Sequence, residues 1–253
     1  MTLRAESALA SWLVGEKVEG ATVAPEPLPE LAGSARRVPF ARDAQLIVVV
    51  AGGAVHVIAR EDVRIEPGVN LADEPRDTVI LDGVRAEPVH ACDPDALRLR
   101  GALTRARQMA DALARVSEMS VAYAGERRQF GRPIARFQAV QQHLVTIAQH
   151  AALAGVAVAR AEAREGAFEI AAAKLLANRA ALVAGRGAHQ VHGARGTTRD
   201  HPLHEDTRRL WAWRAEYGDE TYWRERLGAA VTAAGADRLY PAITGGSAVL
   251  ADV

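Results

Sequence analysis

Arg127, Arg128, Phe130 and Gly131 stand together in the segment YAGERRQFGRPIARFQAVQQHL, residues 123–144. Read by itself, the segment is a helix end followed by a loop. Two arginines sit beside the negative end of the helix dipole, a glycine is free to turn left-handed, and Pro133 restarts the chain. The same residues could instead clamp a pyrophosphate, because a guanidinium forks N–H donors onto an anion and Phe130 offers a flat apolar face nearby. A second group lies in AHQVHGARGTTRDHPLHEDTRR, residues 188–209. Gly193 and Gly196 permit close approach of backbone N–H groups to an anion, and Gln190 brings both a donor and an acceptor. The alternative there is a glycine-rich connection between helices. His189, His192, His201 and His204 follow spacings of 3, 9 and 3. Those spacings set no common helical face and the one cysteine is distant, so no metal site is expected.

The elements that must position these groups divide at about Cys92. Residues 1–92 read as a reduced β subdomain with a short N-terminal helix around Ser7 to Gly15. QLIVVVA (45–51), AVHVIA (54–59) and DTVILDG (77–83) are its strands, punctuated by prolines and by the Gly52-Gly53 turn. A parallel sheet is not expected, because no helix of adequate length separates the strands. Residues 93–253 read as helices. Asp93-Pro94 starts the first, with small or apolar residues at Leu103, Ala106, Ala110, Leu113, Ser117 and Val121, and it should run to about Ala124. A second runs from Ile134–Phe137 to Glu165 with Gly166 as its stop, a third spans Phe168 to His189, and a fourth stretch, His204 to Ala234, is interrupted by Gly218. Alanine-rich faces and short connections imply an antiparallel four-helix bundle. Gly235–Val253, with Pro241 and Gly245-Gly246, reads as a tail. The fold class is therefore α+β.

Composition narrows the function. The formal net charge is zero, and the positive side is almost all arginine, since only Lys17 and Lys174 are lysines. Without a basic excess, nucleic acid is an unexpected partner. One cysteine excludes an internal disulfide framework and a cysteine metal cluster, which fits a reducing cytoplasm. No apolar run reaches the roughly 18 residues of a spanning helix, and no signal-like start is present, so neither a membrane nor a secreted location is expected.

The segment 123–144 resembles the acyl-CoA dehydrogenase family, in which a helix ends in Arg-x-x-Phe-Gly followed by Pro-Ile and Phe-Gln-x-x-Gln. The resemblance implies that Arg127 contacts the pyrophosphate of FAD and that Gln129 and Phe130 line the cofactor, which in that family is bound mainly by the neighbouring subunit. Phe137 and Gln138 would start the next helix at the bundle core. Residues 190–196 resemble the family's Gln-x-x-Gly-Gly-x-Gly, which passes Gln190 and the backbone of Gly193 and Gly196 to the adenosine diphosphate end of FAD. Ala194 stands where the second glycine is expected, which puts one backbone contact in question.

Family catalysis removes an alpha proton from an acyl-CoA thioester with a carboxylate while hydride passes from the beta carbon to the flavin. The stretch AEYGDETYW, residues 215–223, aligns Gly218 with the usual glutamate base. Counting back along the preceding helix to the alternative position of that base lands at Gly101, between Arg100 and Ala102. Glu216, Asp219 and Glu220 are the nearby carboxylates left as candidates. The Thr-Glu-x-x-x-Gly-Ser-Asp-like segment of the family's β domain has no counterpart, and the helical N-terminal domain is missing. Residues lent to a neighbour's flavin are thus retained while those of the chain's own site are not. That pattern resembles the short subunit of heteromeric actinobacterial acyl-CoA dehydrogenases. It implies an α2β2-type assembly with a paralogous full-length subunit, which supplies the base and most of the acyl-CoA site for a steroid-derived or a short or branched acyl group. Two alternatives are a homo-oligomeric flavoenzyme using an atypical carboxylate and a flavin-free scaffold.

Overall fold

A computed structural model of the chain describes residues 3–245. It divides into two compact units, Met1–Thr104 and Arg105–Val253.

The first unit opens with α1 (Leu3–Val14), four residues earlier than the expected Ser7 start. Ser7 and Ser11 accept backbone N–H groups from Ala21 and Val18 at 3.1 and 3.0 Å, which fastens the helix to the chain that follows. The strands are β1 (Ala21–Val23), β2 (Ser34–Pro39), β3 (Leu46–Ala51), β4 (Ala54–Ala59), β5 (Arg64–Glu66), β6 (Arg76–Ile80) and β7 (Pro88–Ala91). One sheet has the order β1-β3-β4-β7 and the other β2-β6-β5. Ile47, Val49, Val38, Val79 and Leu81 bury their side chains in one apolar core. A continuous apolar run such as LIVVVA suits a strand covered on both faces. Gly52 and Gly53, at φ 57° and 76°, make the two-residue turn of the β3–β4 hairpin, where both central residues must be left-handed. The sheet is mixed rather than parallel: β1 and β3 pair parallel, while β3–β4 and β4–β7 are antiparallel. The β1–β3 crossover contains no helix of the usual kind. It runs through β2, which leaves for the second sheet and so spans the distance a helix would have spanned.

The helical unit is built on α2 (Pro94–Glu126), whose first turns belong to the first unit. Asp93 Oδ1 accepts the Asp95 N–H at 2.9 Å and starts the helix. A small hairpin follows, β8 (Arg128–Gln129) with β9 (Arg132–Pro133), and then α3 (Gln138–Arg164), α4 (Ala167–His192), α5 (Leu203–Trp213), α6 (Glu220–Ala234) and α7 (Leu239–Gly245). Gly166 is not the stop of α3. Glu165 takes the left-handed position at φ 51°, and Gly166 is the extended residue that starts α4. Only those two residues separate α3 from α4, so the pair must run antiparallel. Their alanine faces let them come close: a Cβ on Gly187 would lie 3.1 Å from Ile147 Cγ1.

The fourth helical stretch is two helices, parted by a turn in which Tyr217 and Gly218 both have positive φ, 55° and 101°. The expected tail is helical again as α7. Pro241 is its third residue, where a backbone N–H has no intrahelical partner to lose. Gly246 and the rest of the expected tail lie outside the described residues. α3 also corrects the expectation about spanning helices, for it is long and apolar enough to cross a membrane by length and composition. Glutamines and histidines interrupt the apolar run without lowering its mean enough to exclude it. Ile147, Ala154, Val158 and Ala161 are its buried residues, while Val145, Leu153 and Val156 are exposed.

Candidate functional site

The end of α2 is drawn back on itself by the β8–β9 hairpin. Arg127 N–H bonds to Tyr123 O at 2.9 Å, and Arg127 O accepts from Ile134 N–H at 2.8 Å. Phe130 and Gly131, at φ 51° and 77°, form the hairpin turn. Glycine takes that conformation freely, whereas a phenylalanine held there stores of order 1–3 kcal/mol of strain. Its ring is nevertheless 92% exposed, touching only the edge of Phe137 at a centroid distance of 6.0 Å. A strained turn that presents a bare aromatic ring to solvent contributes little to its own folding, and the arrangement suits a ring that meets something outside the chain.

Beside the hairpin lies a pocket of about 390 Å³ whose lining includes Arg127, Gln129, Gln190, Gly193, Tyr123 and Arg195. Residues more than 60 positions apart in sequence thus meet at one place. Gly193 has φ 60° and ψ −147°, a conformation essentially confined to glycine, and nothing lies within 4 Å of where its Cβ would be. Its backbone can therefore be approached closely. Gly196 has a different job: a Cβ there would meet His192 Cβ at 2.8 Å and Leu203 Cδ2 at 3.0 Å, so its small size serves the packing of α4 on α5. Ala194 is exposed and is not among the positive-φ residues, so its methyl group imposes no backbone strain. Arg127 and Arg195 are both exposed, and among the described residues neither has a carboxylate within ion-pair distance. Two uncompensated guanidinium groups, an exposed amide side chain and an open glycine backbone are a suitable donor set for a diphosphate.

The histidines near this pocket are placed by packing. His192 stacks on Tyr123 at 4.4 Å and 21°, and its Nδ1 contacts Ala188 O at 2.8 Å. His189 Nε2 lies 2.9 Å from Thr207 Oγ1. Burial pushes both imidazoles below their usual pKa and keeps them neutral. Among the described residues, no three His, Cys, Asp or Glu side chains come together as metal ligands.

At Gly218, which the resemblance aligns with the family's glutamate, the structure is packed shut. A Cβ on Gly218 would fall 2.5 Å from Trp223 Nε1 and 2.8 Å from Tyr222 Cδ1. Trp223 is fully buried and its indole N–H bonds to Tyr217 O at 3.1 Å. The three neighbouring carboxylates are engaged. Glu216 Oε2 accepts from the Nε of Arg105, itself fully buried. Asp219 caps α6, with Oδ1 accepting the Tyr222 N–H at 2.8 Å. Glu220 pairs with Arg214 at 3.6 Å. Each of these carboxylates would have to leave its arginine or its helix terminus before it could reach a substrate proton.

Beneath this turn sits Lys174, fully buried, whose Nζ donates to Asn178 Oδ1 at 2.7 Å and faces the carbonyls of Gly218, Trp213 and Arg214 at 3.1, 3.2 and 3.3 Å. The ammonium closes the C-terminal end of α5, where carbonyls lack intrahelical partners. Sequence reasoning singled out none of Tyr123, Arg195, Arg105, Trp223 and Lys174 as a site residue. The signal for Lys174 was present: a lone lysine inside AAAKLLAN, in a chain that otherwise uses arginine. Arg195 sat inside the glycine motif itself.

Residues 99–232, more than half of the chain, match the model of the acyl-CoA dehydrogenase C-terminal domain. The chain is 39% identical over 90 residues to a 3-sulfinopropanoyl-CoA desulfinase of Paraburkholderia xenovorans, covering 34% of this chain and 23% of that protein. It is 30% identical over 136 residues to the acyl-CoA dehydrogenase IpdE2 of Mycobacterium tuberculosis, covering 54% and 42%. The aligned part is thus less than half the length of either relative. Among solved structures, it is similar to the ChsE4-ChsE5 complex of Mycobacterium tuberculosis, with a TM-score of 0.73 at 23% identity over 84% of this chain and 66% of that one. The fold of the helical unit and the match along it together place the chain in the acyl-CoA dehydrogenase family.

Proposed function

We propose that this chain is a subunit of an FAD-dependent acyl-CoA dehydrogenase complex, completing in trans a flavin site held mainly by a paralogous full-length partner. One observation carries the reading. The residues a subunit of this family lends to its neighbour, Arg127, Gln129, Gln190 and Gly193, gather at one open pocket with Phe130 exposed beside it, while the place of the base at Gly218 is filled by Trp223 and Tyr222. The flavin, when bound, supplies the hydride acceptor for α,β-desaturation of an acyl-CoA thioester. Arg127 would neutralise its pyrophosphate, Gly193 would bring backbone close to it, Gln190 would donate or accept beside it, and Phe130 would cover part of it from water. The partner's carboxylate would take the alpha proton.

Similarity to a structure that is itself a complex of two proteins supports an α2β2-type assembly, as do the exposed apolar residues Val145, Leu153 and Val156 along one helix. The homo-oligomeric alternative would need Glu216, Asp219 or Glu220 to leave the contacts described above. The scaffold alternative leaves the uncompensated arginines and the bare Phe130 without a role.

The test is to produce the chain alone and together with a paralogous acyl-CoA dehydrogenase subunit, and to measure the flavin-to-protein ratio by absorbance and the assembly by native mass. A flavin-loaded mixed tetramer, with no flavin on the chain alone, is the expected result. Stoichiometric FAD on the chain alone would replace this reading with the homo-oligomeric one. Within the complex, Arg127→Ala should weaken FAD retention by about tenfold to a hundredfold, the value of a hydrogen bond to a charged group. The melting curve of the chain alone should not move, because Arg127 is exposed and among the described residues forms no ion pair. Unchanged FAD retention would remove Arg127 from the site.

A further inference from the structure

On the other side of Tyr123 and Arg127 lies a second pocket, of about 550 Å³, lined among others by Arg128, Arg195, His201 and Glu126. It shares Tyr123, Arg127 and Arg195 with the first pocket, but Arg128, His201 and Glu126 belong to it alone. We infer that this second pocket is a phosphate subsite of its own, in which Arg128, Arg195 and the Nε2–H of His201 bind the dianion of a phosphate monoester.

Charge is the first ground. Three arginines face one carboxylate, Glu126, and among the described residues none of the three forms an ion pair. Arg128 is held in place by a bond from Nη2 to Gly131 O at 3.1 Å, which leaves its other N–H groups for an anion. Like charges gathered without counter-ions raise one another's energy and are relieved by a bound anion.

The orientation of His201 is the second ground. Leu203 N–H donates to its Nδ1 at 3.2 Å, so that nitrogen is the acceptor and the neutral ring carries its proton on Nε2. His204 Nδ1 lies 2.6 Å from His201 O, and the ring edge rests against His192 and Tyr123 at 4.8 and 6.0 Å. The ring cannot turn without losing the Leu203 N–H and its contacts with His192 and Tyr123. Its surroundings are Tyr123 and Glu126 from α2, Arg127 and Arg128 from the start of the hairpin that follows, Arg195 from the turn after α4, and His192 and His204. Desolvation, then Arg195 and His204, hold its pKa below the usual value, and an anion beside it would reverse the latter two effects.

A dianion matches three guanidinium groups and an imidazole better than a carboxylate does, and the volume exceeds a bare phosphate, so a phosphorylated small molecule fits. Orthophosphate and the terminal phosphate of a nucleotide share this chemistry. The site does not rest on the flavin reading.

The experiment titrates the full chain, and the chain in its complex, with sodium phosphate and with adenosine monophosphate while His201 is followed by imidazole NMR. Either probe should raise the His201 pKa, and between pH 6 and 8 the affinity should follow both the second ionisation of the phosphate and the charge on the ring. Arg128→Ala should lower affinity about tenfold, and His201→Gln should leave only the pH dependence of the phosphate's own ionisation while FAD retention in the complex stays unchanged. Tighter binding of the nucleotide would identify a nucleotide-borne phosphate, and equal binding would identify free phosphate. No shift of His201 at 10 mM of either probe would overturn the subsite and leave the flavin reading standing. A pH profile in the glutamine variant identical to that of the parent would overturn the part assigned to His201.

Discussion

Gly218→Glu is expected to unfold or severely weaken the helical unit, by about 3 kcal/mol or more, and to give no desaturation of any acyl-CoA. Restoring a missing base usually asks only for the right side chain at the right position. Here the position is not available. At φ 101° a side chain is strained whatever the space, and the space is taken by the indole of Trp223 2.5 Å away and the ring of Tyr222 2.8 Å away. Trp223 cannot give way cheaply, because it is fully buried and its N–H is bonded to Tyr217 O. The Gly218 carbonyl faces Lys174 Nζ at 3.1 Å, so a shifted backbone would also disturb a buried ammonium. Urea unfolding together with a dye-coupled turnover assay reads both parts. Gly155→Ala, placed where a Cβ meets nothing within 4 Å, is the control and should be neutral or slightly stabilising. A Gly218→Glu protein as stable as the parent, or one that turns over on its own, would show that the site is vacant rather than closed and would revive the self-sufficient enzyme.

What the sequence made legible follows from how each signal is carried. Helix periodicity and caps are local, so the limits of α2 came within two residues, and the convergence of Arg127 with Gln190 followed from two motifs. The parallel β1–β3 pair was hidden because its crossover uses a strand of another sheet, a tertiary fact with no local pattern. Gly166 looked like a helix stop because glycine is the usual left-handed residue, but Glu165 bore that strain one position earlier. The turn at 214–219 was legible as an interruption at Gly218 and illegible as a plug. Trp223, Lys174 and Arg105 approach it from three helices, and no spacing in the chain announces that meeting. Glu216 and Asp219 looked free for catalysis because their partners, the buried Arg105 and the start of α6, are set by the same meeting.

The second large effect concerns pH. Unfolding free energy should rise by about 2 kcal/mol between pH 7.5 and 9.0, and Lys174→Met should flatten that rise. Burial pushes the Lys174 ammonium down to about 7 from 10.5, against the attraction of Glu216 and with the repulsion of Arg105 and Arg214. Below pH 7 both folded and unfolded chains carry the proton, and the native state bears the whole cost of a buried charge. Between 7 and 10.5 the native state has shed a proton that the unfolded chain still holds, so stability rises with pH, at most by about 1.4 kcal/mol per unit. His189, His192 and His201, also lowered, act with the same sign but below pH 6.5, and burial of Cys92 raises its pKa and acts oppositely above 9. The interval from 7.5 to 9.0 therefore isolates the lysine. Methionine fills the same space without titrating, so urea midpoints at the two pH values separate its loss of charge from its loss of hydrogen bonds: the latter lowers both midpoints, and only the former removes the difference. A flat profile in the parent, or an unchanged slope in the variant, would mean that the four oxygens around Nζ keep the ammonium charged throughout. In that case Lys174 would act as a permanent clamp on the carbonyls of Trp213, Arg214 and Gly218. The turn at Gly218 would then be held alike on both sides of pH 7.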